Sequence, residues 1–176
     1  MLDIIETERL ILRRLTLDDA DFILELLNDP SFLQFIGDKN VRTVDDACAY
    51  ILNGPAASYD KFGFGLYLVE LNATGEAIGI CGLIRREELD DVDLGYAFLP
   101  EYRSKGYAVE SASGVLEYAR RELGLDRIAA ITLPHNHGSI RVLERTGFRF
   151  EKMVRLSKDG EDLSLYLSDG RCSQGL

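Results

Sequence analysis

Between Val92 and Leu133 the chain can fold in very few ways. Val92–Leu99 reads as a strand that ends at Pro100, and a glycine-containing loop follows. Val109, Ala112, Leu116, Ala119 and Leu123 then recur three and four residues apart, the spacing of one helical face. Gly124 suits the helix C-cap, and Arg127–Leu133 reads as a buried strand. Strand, helix and strand in succession form a crossover, which joins parallel neighbours. The flanking runs read differently. GFGLYLVEL from Gly63 and EAIGICGLIRR are separated by Asn72-Ala73-Thr74-Gly75, turn chemistry for an antiparallel pair. Phe148–Leu156 and Glu161–Leu167 flank Ser157-Lys158-Asp159-Gly160 and read as a final hairpin. One parallel pair among antiparallel hairpins makes a mixed α/β sheet, and ligands usually bind at the loop–helix junction beyond such a strand.

The first third supplies a strand at Arg9–Arg13 and two helices. Thr16 precedes Asp18 and Asp19, acidic residues suited to a first turn, and Ala20, Ile23, Leu24 and Leu27 share a face until Asn28-Asp29-Pro30 stops it. Thr43 can cap the backbone near Asp46, and that helix is expected to end at Gly54-Pro55. At 176 residues, 46% apolar and 28% charged, the chain has enough apolar surface for one core, read as a single domain over 1–168 with a polar tail at 169–176. No apolar run is long enough to span a bilayer. The opening MLDIIETERL is acidic where a secretory signal is basic, so a cytoplasmic location is expected. A formal charge of −10 disfavours nucleic acid as a partner. It would suit a cationic acceptor, though net acidity also simply keeps a protein soluble. Cys48, Cys81 and Cys172 are odd in number and widely spaced, which fits reduced structural thiols; no metal site is expected.

Arg103-Ser104-Lys105-Gly106-Tyr107-Ala108 opens the long helix, where unpaired N–H groups converge at the positive end of the helix dipole. Gly106 removes a side chain that would obstruct a phosphate, Ala108 keeps the next turn small, and Arg103 and Lys105 add positive charge. A pyrophosphate fits better than a single carboxylate, although an ordinary strand-to-helix turn would read the same way. The loop lacks the Gly-x-x-x-x-Gly-Lys-Ser/Thr arrangement and no metal-binding acids accompany it, which puts a nucleotide-phosphate enzyme far behind.

Arg103, Gly106 and Ala108 match Gln/Arg-x-x-Gly-x-Gly/Ala, and on this pattern the chain resembles the GNAT superfamily of N-acetyltransferases. The blocks TERLILRRLTLDDADFILELLNDP, DLGYAFLPEYRSKGYAVES and NHGSIRVLERTGF, in that order over nearly the whole chain, are similar to the RimJ/RimL branch, the ribosomal-protein N-terminal acetyltransferases. The resemblance implies acetyl-coenzyme A as cofactor. It also implies one α/β domain with a mostly antiparallel sheet, a central splayed parallel pair and flanking helices. The pantetheine arm would lie in the splay, held by backbone groups near Phe98 and Leu99, with its phosphates at Arg103, Ser104, Lys105, Gly106, Tyr107 and Ala108. Asn136 and Ser139 match the family's Asn-x-x-Ser, which implies contacts to the arm and to the thioester sulfur, and Arg145 would meet the phosphate end. Asn136 also suits a helix cap, and Arg145 a solvated helix charge.

Acetyl transfer from a thioester needs a neutral amine, a polarised carbonyl and a stabilised leaving thiolate. Asp93 is the favoured base, with Glu110 and Glu70 as competitors; a solvent-facing strand residue, or a partner for Arg85 or Arg86, is the alternative reading of Asp93. Many GNAT enzymes place a tyrosine acid seven residues after the motif asparagine, and here that position is Leu143. Ser139 then takes the role of donor to the sulfur, with Tyr96 and Tyr107 as alternatives. No cysteine has a motif histidine beside it, so direct transfer in a ternary complex is expected. The acceptor is a primary amine, either a protein N-terminus or a small molecule, with Phe32–Phe64 and Glu87–Asp91 as its pocket. A catalytically silent acyl-coenzyme A-binding module is the alternative from another class. Both monomer and homodimer are compatible with the terminal strands.

Overall fold

The computed structural model describes residues 4–169, so the expected tail lies, beyond Asp169, outside the described residues. The chain enters through an antiparallel pair, β1 (Ile4–Glu6) and β2 (Leu10–Arg14). At three residues β1 is too short to show an alternation in the sequence. α1 (Ala20–Leu27) follows a 3-10 turn at Leu17–Asp19. Asn28-Asp29-Pro30 stops α1 but also starts α2 (Pro30–Phe35). The Asp29 carboxylate accepts the Ser31 and Phe32 N–H groups at 3.1 and 3.2 Å, and Pro30 occupies the first turn, where its missing N–H costs nothing. α3 (Val44–Ile51) carries the expected cap: Thr43 Oγ1 accepts the Asp46 N–H at 3.1 Å, and the Asp46 carboxylate accepts the Thr43 N–H.

The expected stop at Gly54-Pro55 is not one. Leu52–Ala56 forms a π-helical turn, and α4 (Ala57–Phe62) runs on to Gly63, whose φ of +79° ends it. Proline breaks an α-helix through its ring and its missing N–H; the wider turn accommodates both, and helical structure continues.

The remaining elements follow the expected order: β3 (Leu66–Leu71), β4 (Ala77–Ile84), β5 (Asp93–Phe98), α5 (Tyr107–Leu123), β6 (Ile128–Thr132), α6 (His137–Arg145), β7 (Arg149–Val154) and β8 (Leu163–Ser168). They build one eight-stranded sheet in the order β1-β2-β3-β4-β5-β6-β8-β7. All pairs are antiparallel except β5 with β6. The last hairpin inserts β8 between β6 and β7, leaving β7 at an edge with Phe150 and Met153 exposed.

Both faces of the sheet are covered, which explains why its central strands read as continuous apolar runs. Tyr67, Val69, Cys81 and Leu83 pack in one core with Val115 and Ala119 of α5, while Leu68 and Ile80 pack in another with Ile23, Leu26 and Ile51 of α1 and α3. Gly79 permits a close approach at the centre: a Cβ there would lie 2.5 Å from both the Ala97 carbonyl and the Phe98 ring.

Candidate active site

The parallel pair is joined at one end only. Ala129 N–H donates to Val92 O at 2.9 Å and Asp93 registers with Ala129, with no further register pair beyond it. On the other side, Leu99 N–H donates to Ile78 O at 3.0 Å. Alternation along an antiparallel ladder therefore turns the amides of Gly95, Ala97 and Leu99 toward β4 and those of Tyr96 and Phe98 toward the gap. The gap is part of a cleft of about 950 Å³ that Tyr96 and Phe98 line. The Leu99 N–H is engaged with β4, and the Leu99 side chain is buried in the α1–α3 core.

The cleft continues to the start of α5, where Ser104, Gly106, Tyr107 and Ala108 line it. Ser104 and Gly106 have φ values of +61° and +85°, a left-handed bend that gathers successive N–H groups on the concave side. The first-turn N–H groups of α5 have no partner within the helix. The two cations expected there are otherwise engaged. Arg103 Nε and Nη2 donate to Phe98 O at 3.0 and 2.7 Å, Nη1 donates to Ser31 Oγ at 2.9 Å, and Nη2 also pairs with buried Asp29 at 2.8 Å. Arg103 thus ties α2 to the end of β5 and is no free charge. Lys105 lies outside the cleft lining, its ammonium over the Tyr102 ring. Arg9 holds the loop from outside: its Nη1 donates to Lys105 O at 3.0 Å, and its guanidinium lies 4.5 Å from the Tyr107 ring centre and pairs with Glu110 at 2.7 Å.

Across the gap, the Tyr96 hydroxyl lies 2.8 Å from Ser139 Oγ. Burial raises the Tyr96 pKa above its ordinary value, against the lowering effect of the Ser139 hydrogen bond, so the phenol stays protonated. Asn136 Oδ1 accepts the Ser139 N–H at 3.3 Å, so Asn136 caps α6 while also lining the cleft. Arg145 lines the cleft together with Arg141, one turn earlier on α6. Leu143 is buried in the core and offers no donor.

Asp93 is 1% exposed, and burial pushes its carboxyl up to about 6, with the nearby Arg86 charge and the Arg86 hydrogen bonds acting in the opposite direction. Arg86 Nε donates to both carboxylate oxygens, at 3.2 and 3.3 Å. Asp93 thus lines the cleft and pairs with Arg86, and at 1% exposure it is not a solvent-facing strand residue. Its competitors are elsewhere. Glu110 accepts from Thr7 and Arg9, which hold its pKa down despite partial burial, and Glu70 pairs with Arg13 at 2.7 Å. Lys39 and Tyr50 line the same cleft, near enough to Arg86 for its charge to act on both.

Arg9 carries no local signal, since Lys105 and Glu110 lie 96 and 101 residues away, and neither does the pairing of Asp29 with Arg103, 74 residues away, or the approach of Lys39 to Arg86. Arg141 had one: it stands four residues before Arg145 on the same helix. Cys81 is buried with its thiol raised to about 12, Cys48 is free, and Cys172 lies outside the described residues. Among the described residues no group of His, Cys, Asp or Glu is arranged to hold a metal, and no helix is long and apolar enough to cross a membrane.

The acetyltransferase (GNAT) domain family matches residues 9–149. The uncharacterized N-acetyltransferase YoaA of Bacillus subtilis is 32% identical over 156 residues, 88% of each chain. A GNAT-family acetyltransferase from Bacillus anthracis superposes with a TM-score of 0.79 at 26% identity, covering 96% of this chain and 99% of that one. The RimL L7/L12 α-N-protein acetyltransferase in complex with coenzyme A shares the fold, with a TM-score of 0.81 at 19% identity over 96% and 100% of the two chains.

Proposed function

Because the chain belongs to the GNAT acetyltransferase family, we propose that it transfers an acetyl group from acetyl-coenzyme A directly to a primary amine in a ternary complex. The observation that carries this reading is the continuous cleft joining three features: the N–H groups at the start of α5, the open amide edge of Tyr96 and Phe98, and buried Asp93. The residues present suit the cofactor. The α5 N-terminus with Ser104, Gly106, Tyr107 and Ala108 receives the phosphates, Asn136 and the β5 edge receive the pantetheine arm, and Arg141 and Arg145 add charge to the same cleft. Acetyl-coenzyme A supplies an acyl thioester when bound.

Asp93 takes the proton from the attacking amine, directly or through one water. A carboxylate poised near 6 suits an α-amine of pKa about 8, a minority of which is already neutral at pH 7. The Tyr96 and Ser139 hydroxyls form the pair that returns a proton to the departing sulfur, the serine being the closer match to the family motif and the tyrosine its hydrogen-bonded support. RimL, named for a protein α-amine, supports an N-terminal acceptor; the matched Bacillus relatives support an amine without naming one.

The test is release of coenzyme A thiol coupled to acetylated product, read by mass over a panel of amines and N-terminal peptides. Ser139→Ala and Tyr96→Phe should each lower kcat by about tenfold to a hundredfold, with little change in coenzyme A affinity. Tight coenzyme A binding with no product from any amine would select the silent binding module instead.

A further inference from the structure

We propose that the acceptor amine bears a carboxylate a few bonds from its nitrogen, and that Lys39 and Arg86 receive that carboxylate; this rests on the acetyl-transfer reading above. The cleft inverts the charge of the molecule. The chain carries −10, yet the described residues lining the cleft include the cations Lys39, Arg86, Arg103, Arg141 and Arg145 and a single carboxylate, Asp93. Arg103 is neutralised by Asp29, and Arg141 and Arg145 stand on α6 with the cofactor-facing residues.

Lys39 and Arg86 are left at the Asp93 end, two positive charges against one negative. Arg86 gives Asp93 its Nε, at 3.2 and 3.3 Å. Among the described residues neither the Lys39 ammonium nor the terminal nitrogens of Arg86 has a hydrogen-bond acceptor. Although Lys39 keeps an exposed side chain, the cleft wall first and Arg86 second hold its pKa below the ordinary lysine value. Two like charges gathered at one end of a cleft repel each other, and an anion between them relieves both. The free edge of a guanidinium pairs in plane with a carboxylate, and the surplus of one positive charge matches a single negative group. An acceptor amine reaching toward Asp93 would bring that group within range of both residues.

The carboxylate can be the α-carboxylate of a free amino acid or an acidic side chain beside a peptide N-terminus, and two matched pairs of probes separate these sources. The first is methionine against methioninamide, chosen because Phe35 and Ile36 give the cleft an apolar wall. The second is Ser-Glu-Ala-Ala-amide against Ser-Gln-Ala-Ala-amide. In one pair or the other, kcat/KM should favour the carboxylate member by about tenfold or more, chiefly through KM. Lys39→Glu should bring that ratio to one or below and Lys39→Arg should retain it, with thermal melts checking that both variants fold.

Equal rates within both pairs, or a ratio unchanged by Lys39→Glu, would overturn the proposal. Should none of the four amines be acetylated, calorimetric titration of each into coenzyme A-bound protein reads the same preference, and absence of any carboxylate preference there overturns it too. Loss of acetyl-coenzyme A binding itself would sink the acetyl-transfer reading instead.

Discussion

Asp93 combines burial with charge, and its two observable consequences have opposite signs. A free aspartate titrates near 3.8 and the folded protein holds Asp93 near 6, so the folded state binds this proton more tightly than the unfolded chain does. The stabilisation that follows is complete below about pH 4 and is lost as pH rises through about 6. Asp93→Asn, which cannot ionise, should therefore stabilise the protein at pH 8 by roughly 1–3 kcal/mol, a gain that shrinks by roughly 1 kcal/mol at pH 5.5. Urea unfolding at the two pH values measures it, and a loss of stability at pH 8 would contradict the assignment. Activity should move the other way. In the wild type, kcat/KM should rise with pH through an apparent pKa of about 6, while Asp93→Asn loses that limb and about a hundredfold or more in rate.

At the scale of elements, the start of α5 and the gap beside β5 can be tested without damaging the fold. Gly106 is a poor probe, because its positive φ strains any substitute. Ala108→Glu is a better one: a carboxylate in a first helical turn interacts favourably with the helix dipole, which offsets part of the packing that half-buried Ala108 makes against the core, yet it opposes a phosphate at the same N–H groups. Coenzyme A affinity should fall about tenfold or more by calorimetry while the melting temperature holds, and unchanged affinity would remove the loop from the binding site. Arg103 should behave differently. It joins the Phe98 carbonyl to Asp29 at the α2 cap, a fork that lysine cannot reproduce, so Arg103→Lys should lower stability by about 1–2 kcal/mol even without ligand. Hydrogen exchange then distinguishes neighbouring amides. Those of Tyr96 and Phe98 should slow when coenzyme A is added, whereas Leu99, already bonded to Ile78, should be slow in both states.

For the molecule as a whole, a sheet held open between β5 and β6 should gain stability from whatever fills it. Coenzyme A at a hundredfold its Kd should add about 2.7 kcal/mol to unfolding, read as a rise in melting temperature that Ala108→Glu abolishes. The sequence determined the parts that depend on neighbours in the chain. The 3.6-residue period of α5, the caps at Thr43 and Asn136, the left-handed end at Gly124, and the loop opening α5 are local physics, legible without a partner. The stop read at Gly54-Pro55 failed because a π turn accommodates the proline ring and its missing N–H and carries the helix through. Tertiary structure alone decided how the site is charged. Arg103 is consumed by Asp29, 74 residues away, Glu110 is drawn off by Thr7 and Arg9, about a hundred residues away, and Asp93 is left as the single carboxylate lining the cleft among the described residues, beside Arg86 and Lys39. Charges act through space, so which of them are paired and which remain available emerges only when the sheet has brought distant segments together.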